Sequence, residues 1–487
     1  MMSNLSHLKP QPLWENFGHI CSIPHPSKHE GKILEFLLAW AKKHNISVKQ
    51  DETGNLIFSK PATKGMENRK GIILQGHIDM VPQKNSDKVH DFTKDPIEPI
   101  IGNDGWVRAN GTTLGADNGI GCAAAMSILQ ATDIEHGPIE VLVTVDEETG
   151  MTGAFGLKPG LFKGDILMNL DSEDEGELYV GCAGGLDATI EIGYKQIPVP
   201  ANMKAFKVAV TGLKGGHSGM DINTGRANAN KVIIRLLKSA ARTYGMQLAS
   251  IEGGSLRNAI PREAFATITI PEKNVNAFLK FIHEFRAMIQ NEFSATEPTM
   301  AIDATPTEMP SYILEGSCMQ KIINVVYGLP NGVMRMSDSM ENLVETSTNL
   351  AIVKSEKNKV IIMCLLRSSV DSAKEAVGEK MSAIAELAGA KITLSGAYPG
   401  WKPNMESPIL KTMQKTYKDL YGKTPEIKAI HAGLECGLLG GVYPNWDMIS
   451  FGPTIRNPHS PDERVHIESV GKFWNFLIAT LKNVPVK

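Results

Sequence analysis

The sequence predicts an α/β fold, in which a main domain with a largely parallel sheet flanked by helices is interrupted by an inserted α+β domain. Short apolar runs bounded by turn residues alternate with helical stretches in the outer parts of the chain, and the pattern changes between about residues 190 and 395. Such alternation is typical of parallel sheets, because the crossover between parallel strands usually contains a helix. The predicted main domain comprises residues 1–188 and 396–487, and the predicted insertion comprises residues 189–395.

The first predicted helix covers about residues 32–43. The preceding Ser27-Lys28-His29-Glu30 has the spacing of a capping box, in which a serine and a glutamate three residues apart satisfy the free N–H groups of the first helical turn. We therefore expect the first helix to begin directly after this motif.

The remaining elements of the main domain are predicted from the length and period of their apolar patterns. The predicted strands are short apolar runs at residues 71–75, 139–145, 166–170 and 448–451. The predicted helices are longer stretches with helical spacing at residues 119–131 and 409–421.

Polar residues follow three of these predicted strands. His77 follows the first, Asp146-Glu147-Glu148 follows the second, and Asp171 follows the third. In open α/β sheets, ligands bind outside the carboxyl ends of the strands. These separate motifs should therefore converge on one crevice.

The inserted segment is predicted to form a sheet of its own. Strand-like residues 206–211 and 264–270 alternate with helices at 227–241 and 275–289. A looser unit follows, with helices at 318–327 and 372–387 and strands at 359–366 and 391–395. Motifs with metal-binding residue types stop at Asp171 and resume at His459, which favours an insertion between them.

The composition excludes several classes of partner. The chain of 487 residues has a formal net charge of -3, so it offers no basic field for nucleic acid and no polybasic patch for a membrane surface. No segment has the roughly 18 consecutive apolar residues of a membrane span. The six cysteines are scattered, without C-x-x-C pairs, which favours buried reduced thiols. We expect a cytoplasmic protein that acts on a small partner.

Each polar motif also has an ordinary structural explanation. These explanations are a strand end for His77-Ile78-Asp79, an Asx turn or N-cap for Asp117, a solvated acidic turn for Glu147-Glu148, and a surface loop for His459. However, adjacent carboxylates repel each other unless a cation or a shared proton separates their roles. Together, the motifs offer two imidazoles and several carboxylates, which is enough for two hydrolytic metal ions.

Taken in order, the motifs resemble those of the co-catalytic zinc peptidases, a family that includes aminoacylases, glutamate-releasing carboxypeptidases and many dipeptidases. The resemblance covers nearly the whole chain and rests on the segments GHIDMV, LGADNGIG, DEETGMTGA, NLDSEDEGELYVG, GLKGGHSG and PHSPDE. It implies that the main domain is catalytic and that the insertion is a lid. Related enzymes often dimerise through this lid, so a homodimer is expected by analogy.

The resemblance implies a site for two divalent metal ions. His77 and Asp171 would bind one zinc ion, Glu148 and His459 would bind the other, and Asp117 would bridge the two ions. A bridging water or hydroxide would complete the site. Zinc is the expected metal, although the same ligands suit cobalt and manganese. The Asp117-Asn118 peptide bond is expected to be cis.

The resemblance also implies roles in proton transfer and substrate binding. Glu147 would be the general acid/base, and Asp79 would orient His77. In the insertion, His217 would stabilise the oxyanion of the tetrahedral intermediate. The implied binding residues for the substrate carboxylate are Asn258, Arg367 and Gly433.

One residue bears on the subclass of reaction. In this family, aspartate at the position of Asp171 accompanies aminopeptidases and dipeptidases, whereas carboxypeptidases and many acylases carry glutamate. The resemblance therefore implies hydrolysis of small peptides, namely dipeptides with a free amino end, including Xaa-His substrates such as β-alanyl-histidine. Two alternatives stay open. An N-acyl amino acid amidohydrolase would leave Asp171 unexplained, and a non-catalytic peptide- or metal-binding relative would need a missing base or ligand.

Overall fold

The computed structural model describes residues 5–487, which divide into two compact units. The first unit comprises the chain up to Gly181, Pro403–Ala429 and Leu434–Lys487, and the second comprises Cys182–Lys402 and Ile430–Gly433. The predicted domain boundaries at 188/189 and 395/396 fall inside two strands, Gly184–Gly193 and Lys391–Tyr398.

The helices are, in chain order, α1 (Gln11–Cys21), α2 (Gly31–Lys43), α3 (Ala116–Gln130), α4 (Glu147–Gly150), α5 (Thr152–Gly156), α6 (Ala229–Tyr244), α7 (Val275–Glu292), α8 (Gly316–Gly328), α9 (Asp371–Leu387), α10 (Pro408–Tyr421), α11 (Glu435–Val442) and α12 (Ile467–Asn483). The strands are β1 (Ser47–Gln50), β2 (Leu56–Lys60), β3 (Ile72–His77), β4 (Pro99–Ile101), β5 (Trp106–Ala109), β6 (Ile139–Thr144), β7 (Ile166–Asn169), β8 (Glu177–Cys182), β9 (Gly184–Gly193), β10 (Gln196–Ile197), β11 (Met203–Thr211), β12 (Gly216–His217), β13 (Gln247–Gly253), β14 (Ala259–Ile260), β15 (Ala264–Pro271), β16 (Ala301–Pro306), β17 (Ile313–Leu314), β18 (Gly332–Met336), β19 (Val344–Ser355), β20 (Lys359–Ser368), β21 (Lys391–Tyr398), β22 (Glu426–Ile430), β23 (Asp447–Ser450), β24 (Ile455–Arg456) and β25 (Arg464–His466).

The first unit is built around an eight-stranded sheet in the order β1-β2-β6-β3-β7-β23-β8-β22. Its four central strands, β6, β3, β7 and β23, run parallel, and β1, β2 and β8 pair antiparallel at the sides. The strands and helices predicted for this part of the chain lie within a few residues of β3, β6, β7, β23, α3 and α10. The prediction of a largely parallel sheet is confirmed.

The prediction for the start of the chain is wrong in two respects. Helix α1 precedes α2, so the predicted helix is the second one. Helix α1 buries Leu13, Phe17 and Ile20, and their helical spacing in the sequence could have indicated it. The serine and glutamate of the apparent capping box do not cap α2. Instead, Ser27 Oγ donates to Asp79 Oδ2 (2.8 Å), and Glu30 Oε1 accepts from the N–H groups of Lys28 and Asp146. Tertiary partners therefore take the two side chains away from the helix end.

Helix α3 packs against α1 along a run of small residues. A Cβ atom on Gly119 would lie 3.1 Å from Cε2 of Phe17, so glycine lets the two helices approach closely. Asn16 Nδ2 donates to Ser127 Oγ (2.9 Å) within this interface. The N-terminal end of α3 carries Asp117, and this packing fixes its position relative to α1.

The second unit has an antiparallel sheet in the order β16-β11-β15-β13-β19-β20-β9-β21, to which β18 is added beside β19. Helices α6 to α9 bury apolar faces, and Ile233, Phe278, Ile322 and Met381 belong to one hydrophobic core with the strands. The predicted strands and helices of the insertion correspond to β11, α6, β15, α7, α8, β20, α9 and β21. The α+β character of the inserted domain is confirmed.

Two further features agree with the composition. Within residues 5–487, no helix combines the length and the apolar character that crossing a bilayer requires. Cys21, Cys122, Cys182, Cys364 and Cys436 are buried. Desolvation raises the pKa of both Cys122 and Cys364 to about 12, so these two thiols stay protonated at neutral pH.

Candidate metal centre and ligand-binding residues

The carboxyl ends of β3, β6 and β7 carry the polar residues that the sequence singles out. His77 is the last residue of β3, Glu147 and Glu148 open α4 just after β6, and Asp171 follows β7. These three strands are neighbours in the parallel part of the sheet, so their carboxyl ends lie side by side. The structure brings the predicted motifs together at one edge of the sheet.

One group of potential metal ligands comprises His77, Asp117 and Asp171. His77 Nε2 lies 3.2 Å from Asp117 Oδ1 and 3.4 Å from Asp171 Oδ1. His77 is buried, and Asp117 and Asp171 are largely shielded from solvent. One imidazole nitrogen and two carboxylate oxygens therefore face a common point.

A second group comprises Asp117, Glu148 and His459. His459 Nε2 lies 3.2 Å from Asp117 Oδ2 and 3.0 Å from Glu148 Oε2. Asp117 thus belongs to both groups and directs one carboxylate oxygen into each. Such a shared carboxylate suits two divalent cations.

The electrostatics of the cluster favour a cation. Burial raises the pKa of Asp171 to about 8, and the charge of Asp117 adds to this effect against the opposing influence of His77. Glu148 Oε1 and Asp171 Oδ1 are buried without a hydrogen-bond partner among the described residues. Buried carboxylate oxygens without a hydrogen bond are costly, and a bound metal cation would satisfy them. The donor set of imidazole nitrogens and carboxylate oxygens fits zinc, cobalt or manganese.

Asp79 links His77 to the loop after β6. Its Oδ1 accepts from the Glu147 N–H (2.9 Å), and its Oδ2 accepts from the Glu148 N–H (3.2 Å). His77 Nδ1 lies 3.1 Å from the backbone oxygen of Asp79 and 3.4 Å from its carboxylate. Burial alone would raise the pKa of Asp79, but the His77 ring, the Glu147 N–H and the Ser27 hydroxyl hold it at about 2. The carboxylate therefore stays ionised beside the ring.

Glu147 lies among like charges in the same crevice. Burial raises its pKa well above the usual range, and the neighbouring Asp171, Glu435 and Glu148 contribute to the increase while His77 opposes it. A carboxylate whose proton affinity is raised in this way is suited to accept and release a proton near neutral pH.

Glu463 is a buried residue for which the sequence analysis proposed no role. Its carboxylate accepts four backbone N–H groups in succession, those of Leu114 (2.7 Å), Gly115 (3.0 Å), Ala116 (2.8 Å) and Asp117 (3.2 Å). The segment between Glu463 and His459 joins β24 to β25, which pair next to β5. Glu463 thereby fixes the turn that carries Asp117. Its place in the PHSPDE segment was a signal in the sequence, but the partner is more than 340 residues away in the chain.

The backbone around Asp117 departs from helical geometry. Asp117 has φ -86° and ψ 107°, although it lies in the first turn of α3. The Asp117-Asn118 peptide bond is cis, as the resemblance predicts. Asn118 Nδ2 donates to the backbone oxygen of Leu170 (2.8 Å), which ties this turn to the segment that leads to Asp171.

Glu435, which also received no role from the sequence, is buried beneath the strand ends. Its Oε2 accepts from Gln75 Nε2 (2.6 Å) and Thr144 Oγ1 (2.8 Å). Burial raises the pKa of Glu435 to about 7. These contacts connect α11 with β3 and β6 directly under His77.

In the second unit, the hydrogen bonds of His217 determine which nitrogen of its ring carries the proton. Its Nδ1 accepts from the N–H groups of Gly219 (3.2 Å) and Met220 (3.1 Å). The ring proton of the neutral form must therefore be on Nε2, which makes that nitrogen a donor. Burial and the charge of Arg367 lower the pKa of His217. A neutral imidazole with Nε2–H directed away from its own turn suits the stabilisation of an oxyanion.

Arg367 is a buried cation without a carboxylate partner among the described residues. Its side chain makes two hydrogen bonds to neutral groups, from Nε to Ser218 Oγ (3.2 Å) and from Nη1 to Tyr398 Oη (3.4 Å). Arg367 is only 5% exposed. A buried charge is costly unless it is paired, so this guanidinium is suited to an anionic ligand.

The other two predicted binding residues lie on neighbouring segments of the same unit. The side chain of Asn258 is exposed, and its backbone oxygen accepts from the Ser218 N–H (2.8 Å). A Cβ atom on Gly433 would lie 3.2 Å from Tyr398 Oη. Both residues therefore connect to groups that contact Arg367, through Ser218 and Tyr398.

The chain resembles proteins of known activity over its full length. A profile described as peptidase family M20/M25/M40 matches residues 73–483. The cytosol non-specific dipeptidase of Escherichia coli is 49% identical over 486 residues, which cover 100% of both chains. The crystal structure of an aminoacylhistidine dipeptidase from Vibrio alginolyticus superposes with a TM-score of 0.95 at 50% identity, covering 100% of this chain and 99% of that one.

A more distant structure shares the fold. The aminopeptidase PepT of Bacillus cereus superposes with a TM-score of 0.58 at 18% identity, covering 98% of this chain and 99% of that one. The profile match and the full-length relative at 49% identity agree with the motifs and with the ligand groups at the strand ends. The chain is a member of peptidase family M20/M25/M40.

Proposed function

We propose that this peptidase is a metal-dependent dipeptidase that hydrolyses dipeptides with a free amino end, Xaa-His substrates among them. The observation that carries the proposal is Asp117, whose two carboxylate oxygens face two separate ligand groups. Both relatives with about 50% identity bear dipeptidase names, and one name specifies aminoacyl-histidine substrates. These names support the substrate class proposed for this chain.

The ligand groups suggest two divalent ions, and we propose zinc. His77, Asp117 and Asp171 would hold one ion, and Asp117, Glu148 and His459 would hold the other. When bound, the ions would polarise the scissile carbonyl and make the attacking water more acidic.

The protein's own residues would move the protons and orient the ligands. Glu147 takes a proton from the attacking water and returns it to the leaving amine, a role that its raised pKa supports. Asp79 holds the backbone of Glu147 and Glu148 while its carboxylate lies 3.4 Å from the ring of His77. A single buried carboxylate thus orients the base and two ligands.

The second unit would supply the residues that recognise the substrate, acting as the lid of the enzyme. His217 donates from Nε2 to the oxyanion, since its Nδ1 is occupied as an acceptor. Arg367 binds the substrate carboxylate, because its buried charge has no carboxylate partner among the described residues. Asn258 and Gly433 complete this carboxylate site. By analogy with relatives, we also propose a cytoplasmic location and a homodimer.

A panel of substrates tests the proposal. Purified protein is assayed with free dipeptides including β-alanyl-histidine, with tripeptides and with N-acetylated amino acids, each with chelator and with added zinc. We expect hydrolysis of dipeptides that chelator abolishes and zinc restores. Faster hydrolysis of N-acetylated amino acids would favour the amidohydrolase alternative, and a metal-loaded protein without any turnover would favour a non-catalytic relative.

A further inference from the structure

We propose that Tyr398 is a further substrate-binding residue, whose phenolic O–H donates to the α-carboxylate of the dipeptide beside Arg367. The proposal rests on the proposed dipeptidase function, and it concerns a residue that the motifs above do not include. Three features of the second unit carry it: the space reserved for the phenol ring, its hydrogen bonding, and the unpaired charge next to it.

Two glycines leave room for the ring of Tyr398. Tyr398 is the last residue of β21 and pairs with Gly185 on β9. A Cβ atom on Gly185 would lie 2.3 Å from Cε1 of the ring, and one on Gly433 would lie 3.2 Å from the phenolic oxygen. Any larger residue at position 185 would displace the ring. The fold therefore places this hydroxyl between Gly433 and Arg367, where the substrate carboxylate is proposed to bind.

The hydrogen bonding leaves the phenolic proton available. Arginine has only donors, so the hydroxyl accepts the bond from Arg367 Nη1 (3.4 Å) and cannot donate to it. Among residues 5–487, no acceptor contacts this hydroxyl. Burial raises the pKa of Tyr398, which keeps the phenol protonated at neutral pH. The hydroxyl is therefore a donor that still lacks an acceptor.

The unpaired charge of Arg367 indicates which acceptor would complete the group. The charge of Arg367 acts on Asp187, but the carboxylate of Asp187 forms its ion pair with Arg257 (3.3 Å). A substrate carboxylate has two oxygens, so one can accept from the guanidinium while the other accepts from the phenol. The Arg367–Tyr398 pair thus forms a two-point binding site for a carboxylate, and a neutral amide would satisfy it poorly.

The test compares a free dipeptide with the same dipeptide amidated at its C-terminus, using the metal-loaded full chain. The variant is Tyr398→Phe, which keeps the ring over Gly185 and removes one oxygen. The matched control is Tyr194→Phe, because Tyr194 also has a part-buried hydroxyl in the second unit, but this hydroxyl already donates to the backbone oxygen of Glu356. We expect Tyr398→Phe to raise KM for the free dipeptide about tenfold with little change in kcat. The slow reaction with the amide should stay within twofold of wild type.

The outcomes separate the two proposals. If the wild-type enzyme hydrolyses the amide as well as the free dipeptide, the carboxylate site and the proposed dipeptidase specificity both fail. If the wild type discriminates and Tyr398→Phe discriminates equally, only the role of Tyr398 is overturned. Equal losses with both substrates, or losses matched by Tyr194→Phe, would indicate a structural role and would also overturn it.

A second measurement uses ligands that the enzyme does not hydrolyse. Inhibition by the product amino acid is compared with inhibition by its amide in wild type and Tyr398→Phe. We expect the variant to lose affinity for the amino acid about tenfold and to bind the amide as the wild type does. Unchanged inhibition by the amino acid would contradict the proposal, and the thermal unfolding midpoint of each variant verifies that it is folded.

Discussion

The hydrogen bonds that Glu463 accepts from the backbone give the most specific prediction about the metal centre. The change Glu463→Gln keeps the size of the side chain but replaces one acceptor oxygen by an NH₂ group. The wild-type carboxylate accepts four N–H groups from the turn that ends at Asp117, two on each oxygen. The glutamine can retain two of these bonds, and it directs its own N–H groups against the other two donors.

The size of the effect follows from those contacts. Two hydrogen bonds to a charged acceptor are lost, each contributing about 1.5–3 kcal/mol, so the turn loses about 3–6 kcal/mol of local stabilisation. Because Asp117 takes part in both ligand groups, the loss should appear as weaker binding of metal. Mutation of a residue that orients metal ligands typically lowers metal affinity by about 10- to 100-fold, and we expect a loss in that range.

The assay is a chelator-competition titration of the metal-free protein with zinc, repeated with cobalt to record its visible spectrum. Burial raises the pKa of Glu463 to about 7, so the titration is performed at pH 8, where the carboxylate is ionised. The matched control is Glu140→Gln, because Glu140 accepts the N–H groups of Lys163 (2.9 Å) and Gly164 (2.8 Å) away from the ligand groups. Zinc affinity within twofold of wild type for Glu463→Gln, or an equal loss in Glu140→Gln, would refute the reasoning.

Three further predictions concern the base, a buried histidine and the metal. Glu147→Ala should bind zinc as the wild type does while kcat falls about 10²- to 10⁴-fold, and a kcat near wild type would remove Glu147 from its role. Burial and the charge of Arg367 lower the pKa of His431 to about 3, so below about pH 6.5 the unfolded chain binds a proton that the folded chain does not. The free energy of unfolding should therefore decrease as the pH is lowered. Between pH 7 and pH 5, the decrease measured by urea unfolding should be about 2 kcal/mol smaller for His431→Gln than for wild type; equal decreases would contradict this. Chelation should lower the thermal midpoint, and zinc at about 100 times its Kd should restore about 2.7 kcal/mol; an unchanged midpoint would argue against metal at the cluster.

The strand-end residues could be predicted from the sequence because two simple rules determine their positions. Short apolar runs identify β3, β6 and β7, and the carboxyl ends of parallel neighbours lie at the same edge of a sheet. His77 and Asp171 therefore come together whatever the loops between them do. The same reasoning does not apply to His459, because its loop joins two short strands of a separate four-stranded sheet. The prediction of His459 as a metal ligand depended on the family resemblance.

The residues that sequence analysis missed depend on contacts between distant segments. Ser27 and Glu30 have the local spacing of a capping box, but their side chains bind Asp79 and the N–H of Asp146 instead. Glu463 ends the PHSPDE segment, but that segment does not indicate its four partners, which lie in a turn elsewhere in the chain. Local spacing predicts local partners, so a carboxylate or hydroxyl with tertiary partners is assigned only once the fold is known.

Each unit contains a cluster of groups whose pKa values are shifted by neighbouring charges of one sign, negative in the first unit and positive in the second. In the first unit, burial raises the pKa of Asp171 and Glu147, and neighbouring carboxylates add to the increase. In the second, burial lowers the pKa of His217 and His431, and the charge of Arg367 adds to the decrease. Burial shifts each group toward its neutral form, and like charges nearby shift it further, although His77 opposes this shift in the first cluster and Asp221 opposes it at His217. The first cluster therefore lacks cations and the second lacks an anion, which are the charges that metal ions and a substrate carboxylate would supply.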